Sequence, residues 1–323
     1  MKRSINQKKH YSFYTLDLTK FENSKTLDKK KLANQVDRAC TETGFLLISN
    51  HGISQKTIDE MWFSVDSFFK QNINEKLKVS APNKGYPYGY FMSETESLAK
   101  SKGLNTPPDL KESFNGGPLK PPIKIKNKDA LNFCYAPTIW PNINNFKTFW
   151  SAYYKEMEKL AERIMKVFAL ALNIDENYFE SYIDNPISAL RALNYPSIKR
   201  NVLPKQQRAG AHTDYGSLTI LLPQEKSKGL QIKISNKWVD VPIAPNKFII
   251  NIGDLMALWT NDRWKSTLHR VKPYKKSRKS LAFFHQPNWD AEIKVLESCV
   301  IKKKKYNSVF SGPYLMSKFK STK

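Results

Sequence analysis

Ala211-His-Thr-Asp-Tyr-Gly-Ser-Leu-Thr219 is the stretch on which the reading of this chain turns. His212 and Asp214 lie just ahead of an apolar, β-rich run, Ser217 to Leu222. On an extended strand, residues i and i+2 point to one face, so this imidazole and carboxylate can reach one ion together. Similar short runs surround the stretch: Ser188 to Tyr195, Leu230 to Ile234, Lys247 to Ile252 and Ser280 to His285. Turn signals separate them at Tyr195-Pro196, Lys228-Gly229, Gly253-Asp254 and Pro287-Asn288. Several short strands at this spacing predict a sandwich or barrel.

A third ligand must come from elsewhere. The chain has five histidines, His10, His51, His212, His269 and His285. His269, in Ser266-Thr-Leu-His-Arg-Val271, comes where a returning strand would bring it back. Two histidines and one carboxylate on one face of an octahedron leave three positions open. That pattern suits non-haem Fe(II), which must bind both a co-substrate and O2. A lone His-x-Asp is a weak signal, and His269 alone reads as a core histidine. A second constellation changes the balance. Arg278-Lys-Ser280 precedes the apolar run Leu281 to Phe284, and its guanidinium and hydroxyl share a strand face. Together they can grip a carboxylate, the arginine in bidentate fashion.

Upstream the texture is helical. Thr26 to Thr43 reads as a helix ended by Gly44, with Leu27, Leu32, Val36, Ala39 and Cys40 at near-helical spacing. Phe45 to Ser49 reads as a buried strand and Asn50-His51-Gly52 as a turn. Ser54 can cap a helix whose apolar side runs from Ile58 to Ile73. Residues Ala81 to Pro122 predict loops and short strands, and Phe146 to Leu172 a long amphipathic helix. The expected organisation is a helical N-terminal region, 1–185, and a β core with a C-terminal extension, 186–323, packed as one compact unit.

The 323 residues are 40% hydrophobic and 12% aromatic, enough for a sizeable core. No apolar run is long enough to span a bilayer, and Met1 to His10 lacks the apolar stretch of a secretory signal. Cys40, Cys134 and Cys299 are odd in number and far apart, which argues for free thiols in a reducing compartment. A cytoplasmic monomer with no membrane partner is expected. The net charge is +24, from 53 Lys+Arg against 29 Asp+Glu. It could attract nucleic acid. The lysines are scattered, however (Lys29 to Lys31, Lys275 and Lys276, Lys302 to Lys305), and no recognition motif accompanies them. Compositional bias is the preferred reading, with no specific nucleic acid partner.

Taken in order, the motifs resemble the isopenicillin N synthase-like branch of the 2-oxoglutarate and Fe(II)-dependent oxygenases. The resemblance runs through nearly the whole chain. Its N-terminal part rests on Gly44 to Gly52 and Asp109-Leu-Lys-Glu-Ser-Phe114. In the core it rests on Leu190-Arg-Ala-Leu-Asn-Tyr-Pro196, the Ala211 to Thr219 stretch, Gly229-Leu-Gln231 and Asn251-Ile-Gly-Asp254. It continues through Trp259-Thr-Asn261, Ser266 to Val271, Arg278 to Ser280 and Phe284-His-Gln-Pro-Asn288. The resemblance implies a mainly β fold with flanking α-helices, built on a double-stranded β-helix (jelly roll). The N-terminal region would be of the non-haem dioxygenase N-terminal type. It implies His212, Asp214 and His269 as iron ligands, and Arg278, Ser280 and Tyr195 as contacts to the distal carboxylate of 2-oxoglutarate. It gives Asn194 no role.

As implied, Fe(II), 2-oxoglutarate and O2 act on a small organic substrate, with release of succinate and CO2. An iron-dependent oxidase or cyclase without 2-oxoglutarate is the alternative, and a basic nucleic-acid-binding protein a third reading. Isopenicillin N synthase brings a glutamine near its C-terminus to iron. Here no glutamine follows Gln286, which disfavours that variant. Among the other motif residues, His51 reads as a turn residue. Asn251, Gly253 and Asp254 read as shaping a tight turn, and Arg270 as making a structural ion pair. His285 reads equally as a cavity or a core histidine. Tyr86 to Met92, Phe114, Tyr215 and Phe284 are the candidate substrate walls.

Overall fold

The structure is a computed structural model and describes residues 13–122, 125–198 and 201–320. The basic stretch Met1 to His10 therefore lies outside the described residues.

In chain order the strands are β1 (Thr15–Asp17), β2 (Phe45–Ser49), β3 (Gly89–Phe91), β4 (Glu112–Gly116), β5 (Ala189–Tyr195) and β6 (Ala209–His212). They continue with β7 (Leu218–Pro223), β8 (Leu230–Ile234), β9 (Lys237–Asp240), β10 (Phe248–Ile252), β11 (His269–Val271) and β12 (Arg278–His285). An eight-stranded sheet runs β1-β2-β10-β7-β12-β5-β4-β3, and a four-stranded sheet runs β6-β11-β8-β9. The two sheets form the jelly roll, and helices flank the larger one. That larger sheet joins four strands from the first half of the chain to four from the second. The region expected to be helical therefore also supplies part of the central sheet.

Alternation along β10 explains its mostly apolar sequence, broken at Asn251. Phe248, Ile250 and Ile252 pack in the cluster shared with the helix Phe146–Ala171, while Ile249 packs in the cluster between the sheets. Both faces of the strand are covered, so period-2 polarity vanishes. The helix Thr26–Glu42 ends where expected. Gly44, at φ +67°, donates to the carbonyls of Ala39 and Cys40. A left-handed residue there favours glycine. Ser54 caps the helix Gln55–Phe69, its hydroxyl accepting from the Thr57 N–H. Two expected apolar contacts are absent: Leu27 is 69% and Ile73 43% exposed. Ile73 opens a separate short helix, Ile73–Leu77, and so leaves the buried stripe.

Candidate active site

His212 ends β6 and His269 opens β11, and the two stand opposite each other in the antiparallel pair. Each ring is oriented through Nδ1, His212 by the Gly210 carbonyl at 2.7 Å and His269 by the Thr267 carbonyl at 3.0 Å. A proton on Nδ1 leaves Nε2 free as a ligand. Both Nε2 atoms lie 3.7 Å from Asp214 Oδ1. That is too long for a hydrogen bond. It is short enough for one ion to bridge, with metal–ligand bonds of roughly 2 Å. Among the described residues, these three form the one histidine, cysteine and carboxylate group compact enough to hold a metal.

Asp214 does not share a strand with His212, as the sequence had suggested. It lies beyond the end of β6, in the turn that leads to β7. Main-chain bonds fix that turn: the helix Asp254–Trp259 donates from Asp254 N–H to the Asp214 carbonyl, and from Leu255 N–H to those of Tyr215 and Gly216. The first N–H groups of a helix need outside acceptors, and this turn supplies them. Asp214 Oδ2 accepts from Thr219 Oγ1 at 2.6 Å and from Asn251 Nδ2 at 2.8 Å, which leaves Oδ1 for an ion. Burial acts to raise the Asp214 carboxyl, but His269, His212 and these two bonds outweigh it and hold it below its ordinary value. Burial, with His269 alongside, pushes His212 down to about 3. Ionised carboxylate and neutral imidazole are the forms a metal requires.

The site opens into a cavity of about 650 Å³. Arg278 lies in its wall, 2% exposed, and among the described residues its Nε and Nη1 have no partner. Ser280 Oγ, on the same face of β12, is buried and likewise has no partner among the described residues. Tyr195 sits opposite Arg278 on β5, and its ring centre is 4.8 Å from the guanidinium. Burial lowers the Arg278 pKa, opposed by Tyr195. A buried cation without a counter-charge is costly, so this corner is built for an anion.

Other expectations resolve individually. His51 accepts the Ile53 N–H through Nδ1 and packs on Phe248, in keeping with a turn residue. His285 is a core histidine: its Nδ1 bonds Ser217 Oγ at 2.7 Å, and burial pushes it down to about 3. Arg270 makes no ion pair among the described residues. It bonds Gln231 Oε1 at 3.0 and 2.9 Å and stacks over Trp238. Tyr86, Tyr88, Phe91, Tyr215 and Phe284 line the cavity, whereas Phe114 packs on Phe68 and Trp150 in the helix-side core, and Met92 is exposed. Asn194 donates to Glu112. Asn251 was read as a turn residue and instead holds the Asp214 carboxylate, as does Thr219, for which no role was foreseen. The signal was legible: Asn251 interrupts the buried apolar strand β10, where a polar side chain needs a partner.

Comparison with known proteins agrees with this geometry. Residues 186–287 match the 2OG-Fe(II) oxygenase superfamily, and residues 15–143 match the family described as non-haem dioxygenase in morphine synthesis N-terminal. The 2-oxoglutarate-Fe(II) type oxidoreductase hxnY of Emericella nidulans is 30% identical over 88% of this chain and 82% of its own. Homoarginine-6-hydroxylase 2-ODD-233 of Oryza sativa subsp. japonica is 31% identical over 90% of this chain and 89% of its own. A full-length Neurospora crassa protein, crystallised with alpha-KG and thymine, superposes with a TM-score of 0.83 at 29% identity, covering 96% of this chain and 97% of its own. The chain belongs to the 2-oxoglutarate and Fe(II)-dependent oxygenase superfamily, in its isopenicillin N synthase-like branch, and is a dioxygenase that works with Fe(II), 2-oxoglutarate and O2.

Proposed function

We propose that His212, Asp214 and His269 hold the iron, and that Arg278, Ser280 and Tyr195 hold the distal carboxylate of 2-oxoglutarate, while a small organic substrate is hydroxylated. The observation that carries this is one cavity with two polar poles. At one, two imidazole nitrogens and a carboxylate oxygen converge; at the other, a buried guanidinium and a hydroxyl have polar atoms without a partner among the described residues. Iron, when bound, supplies the oxygen chemistry, and succinate and CO2 are the co-products. The chain's own groups do the rest. Gly210 and Thr267 orient the imidazoles, while Thr219 and Asn251 aim the carboxylate. The apolar wall excludes water, and the Arg278 corner fixes the co-substrate.

The test is substitution of each ligand in turn. His212→Ala, Asp214→Ala and His269→Ala should each abolish succinate formation and weaken Fe(II) binding in calorimetry, with the fold kept by circular dichroism. Full turnover by any one of them removes that residue from the assignment.

Three further points stand as proposals. The chain divides at residues 185 and 186 into an N-terminal region and a β-helix core that act as one unit; the shared eight-stranded sheet supports this. The protein works in the cytoplasm; three buried free thiols support a reducing compartment, and among the described residues no helix is long and apolar enough to cross a membrane. It acts as a monomer, which sedimentation analysis would test.

A further inference from the structure

We propose that the primary substrate is a small, uncharged ring carrying a carbonyl beside an N–H group, a cyclic amide, seated on Arg191 and Asn115. This rests on the assignment of iron and co-substrate above and deepens it.

The sheet register separates this second polar pole from the first. Asn115 on β4, Arg191 on β5 and Ala282 on β12 stand side by side across three neighbouring strands, and all line the cavity. Arg191 lies four residues before Tyr195, roughly 13 Å of extended strand. Arg191 and the Arg278 corner are therefore separate along the wall, and Arg191 is available to a different ligand.

The donors and acceptors at this pole are unequally satisfied. Among the described residues, the one ion pair of Arg191 is with Glu96 at 3.6 Å, longer than a good hydrogen bond. Glu96 is held more closely by Lys111, at 2.7 Å. Asn115 donates through Nδ2 to the Pro87 carbonyl, and its buried Oδ1 has no partner among the described residues. Buried acceptors are seldom left unfilled. Such an acceptor beside a guanidinium with N–H groups to spare, on paired residues of one cavity wall, is the complement of a carbonyl next to an N–H group.

Charge and shape narrow the class. Besides Asp214, Glu96 is the one carboxylate lining the cavity among the described residues, and it is already engaged by two cations. A cationic substrate would find no free partner. Lys111 also pairs with Asp109, so the formal charges of Lys111, Arg191, Glu96 and Asp109 cancel, and this pole calls for no full anion; Lys84 and Lys100, which also line the cavity, are exposed to solvent. Phe284 and Tyr215 add flat apolar surface that suits a ring.

The experiment is anaerobic titration calorimetry of the Fe(II) and 2-oxoglutarate-loaded protein with three probes: thymine (neutral cyclic amide), L-homoarginine (cationic) and phenylacetate (anionic). Thymine should bind and the other two should bind far more weakly. Arg191→Gln and Asn115→Leu should each weaken thymine by at least about tenfold. Affinity for 2-oxoglutarate, titrated separately into Fe(II) protein, should change by no more than about twofold, as expected for separate sites. Arg191→Lys preserves the charge beside Glu96 and should fall between wild type and Arg191→Gln, which guards against simple misfolding. Preference for homoarginine or phenylacetate overturns the proposal, as does wild-type thymine affinity in Arg191→Gln. Absence of thymine binding with 2-oxoglutarate binding intact overturns this inference alone. Failure of wild type to bind 2-oxoglutarate strikes the co-substrate assignment instead.

Discussion

On the proposed assignment, co-substrate affinity should hinge on Arg278, because no carboxylate among the described residues neutralises it. Arg278→Gln preserves polarity and removes both the charge and the planar fork. Loss of a buried, charge-assisted contact costs about 2 to 5 kcal/mol, or roughly 30-fold to several-thousand-fold in affinity. The KM for 2-oxoglutarate should rise accordingly while Fe(II) affinity stays put; Ser280→Ala, which removes one hydroxyl, should cost about 1 to 3 kcal/mol. Normal 2-oxoglutarate consumption by Arg278→Gln would move the anchor elsewhere. His285 makes a different prediction. Its folded-state pKa is pushed down to about 3 from 6.5, so between those values the unfolded chain binds the extra proton. Its contribution to stability is complete above about pH 6.5 and is lost as pH falls toward 3, at up to roughly 1.4 kcal/mol per pH unit. Denaturant unfolding at pH 7 and pH 5 should show His285→Leu losing less stability between the two than wild type does. Equal losses would mean that His285 is not the group responsible.

At the scale of elements, two interlocked turns set the position of Asp214. The turn after β6 lies directly against the start of the helix Asp254–Trp259, and a Cβ on Gly253 would fall 2.1 Å from the Gly216 carbonyl oxygen. That oxygen is backbone and cannot swing aside. Gly253→Ala should push the turns apart, loosen the Asp254 N–H bond to Asp214, and destabilise the fold by about 1 to 3 kcal/mol, as overpacking does. Fe(II) should bind more weakly as well, because the carboxylate moves with its backbone. Thermal unfolding with and without Fe(II) would register both effects, and an unchanged Fe(II)-induced shift would show that Asp214 is held by its side-chain bonds alone. The sequence marks Gly253 as a turn glycine, but the partner that makes it necessary is 37 residues away and belongs to tertiary packing.

Across the whole molecule, segments far apart in the chain converge on the site. Phe45 of β2 packs edge-on against the His269 ring, and Leu315 and Phe319 of the C-terminal helix Ser311–Lys320 line the cavity. The lysine runs at 29–31, 275–276 and 302–305, part of the +24 charge, do not line the cavity. Within the lysine runs, Lys29 pairs with Glu176, Lys31 with Asp28, Lys304 with Glu297 and Lys305 with Asp262. If the excess is compositional, catalysis should vary only modestly with ionic strength, while any DNA affinity should fall steeply with salt. Sequence-selective DNA binding that survives physiological salt, measured by anisotropy, would reverse that conclusion.

The proposed ligand set was readable in the residues themselves. His-x-Asp, a later histidine and Arg-x-Ser are chemical requirements stated in side-chain type and spacing, and strand periodicity told which faces Arg278 and Ser280 share. The β-rich second half was equally plain, because each short apolar run is bounded by its own turn signals. What sequence could not supply were facts that exist only between distant segments. That Asp214 stands in a turn and not on a strand depends on the backbone of a helix some 40 residues later, as the bond from Asp254 shows. That Asn251 serves Asp214 depends on β10 lying beside β7. That Arg191 and Asn115 form one pole depends on β4 pairing with β5 across 76 residues of sequence. Local pattern records which face of an element is buried; what that face meets is decided by strand order and register, which hydrogen bonding between remote segments determines.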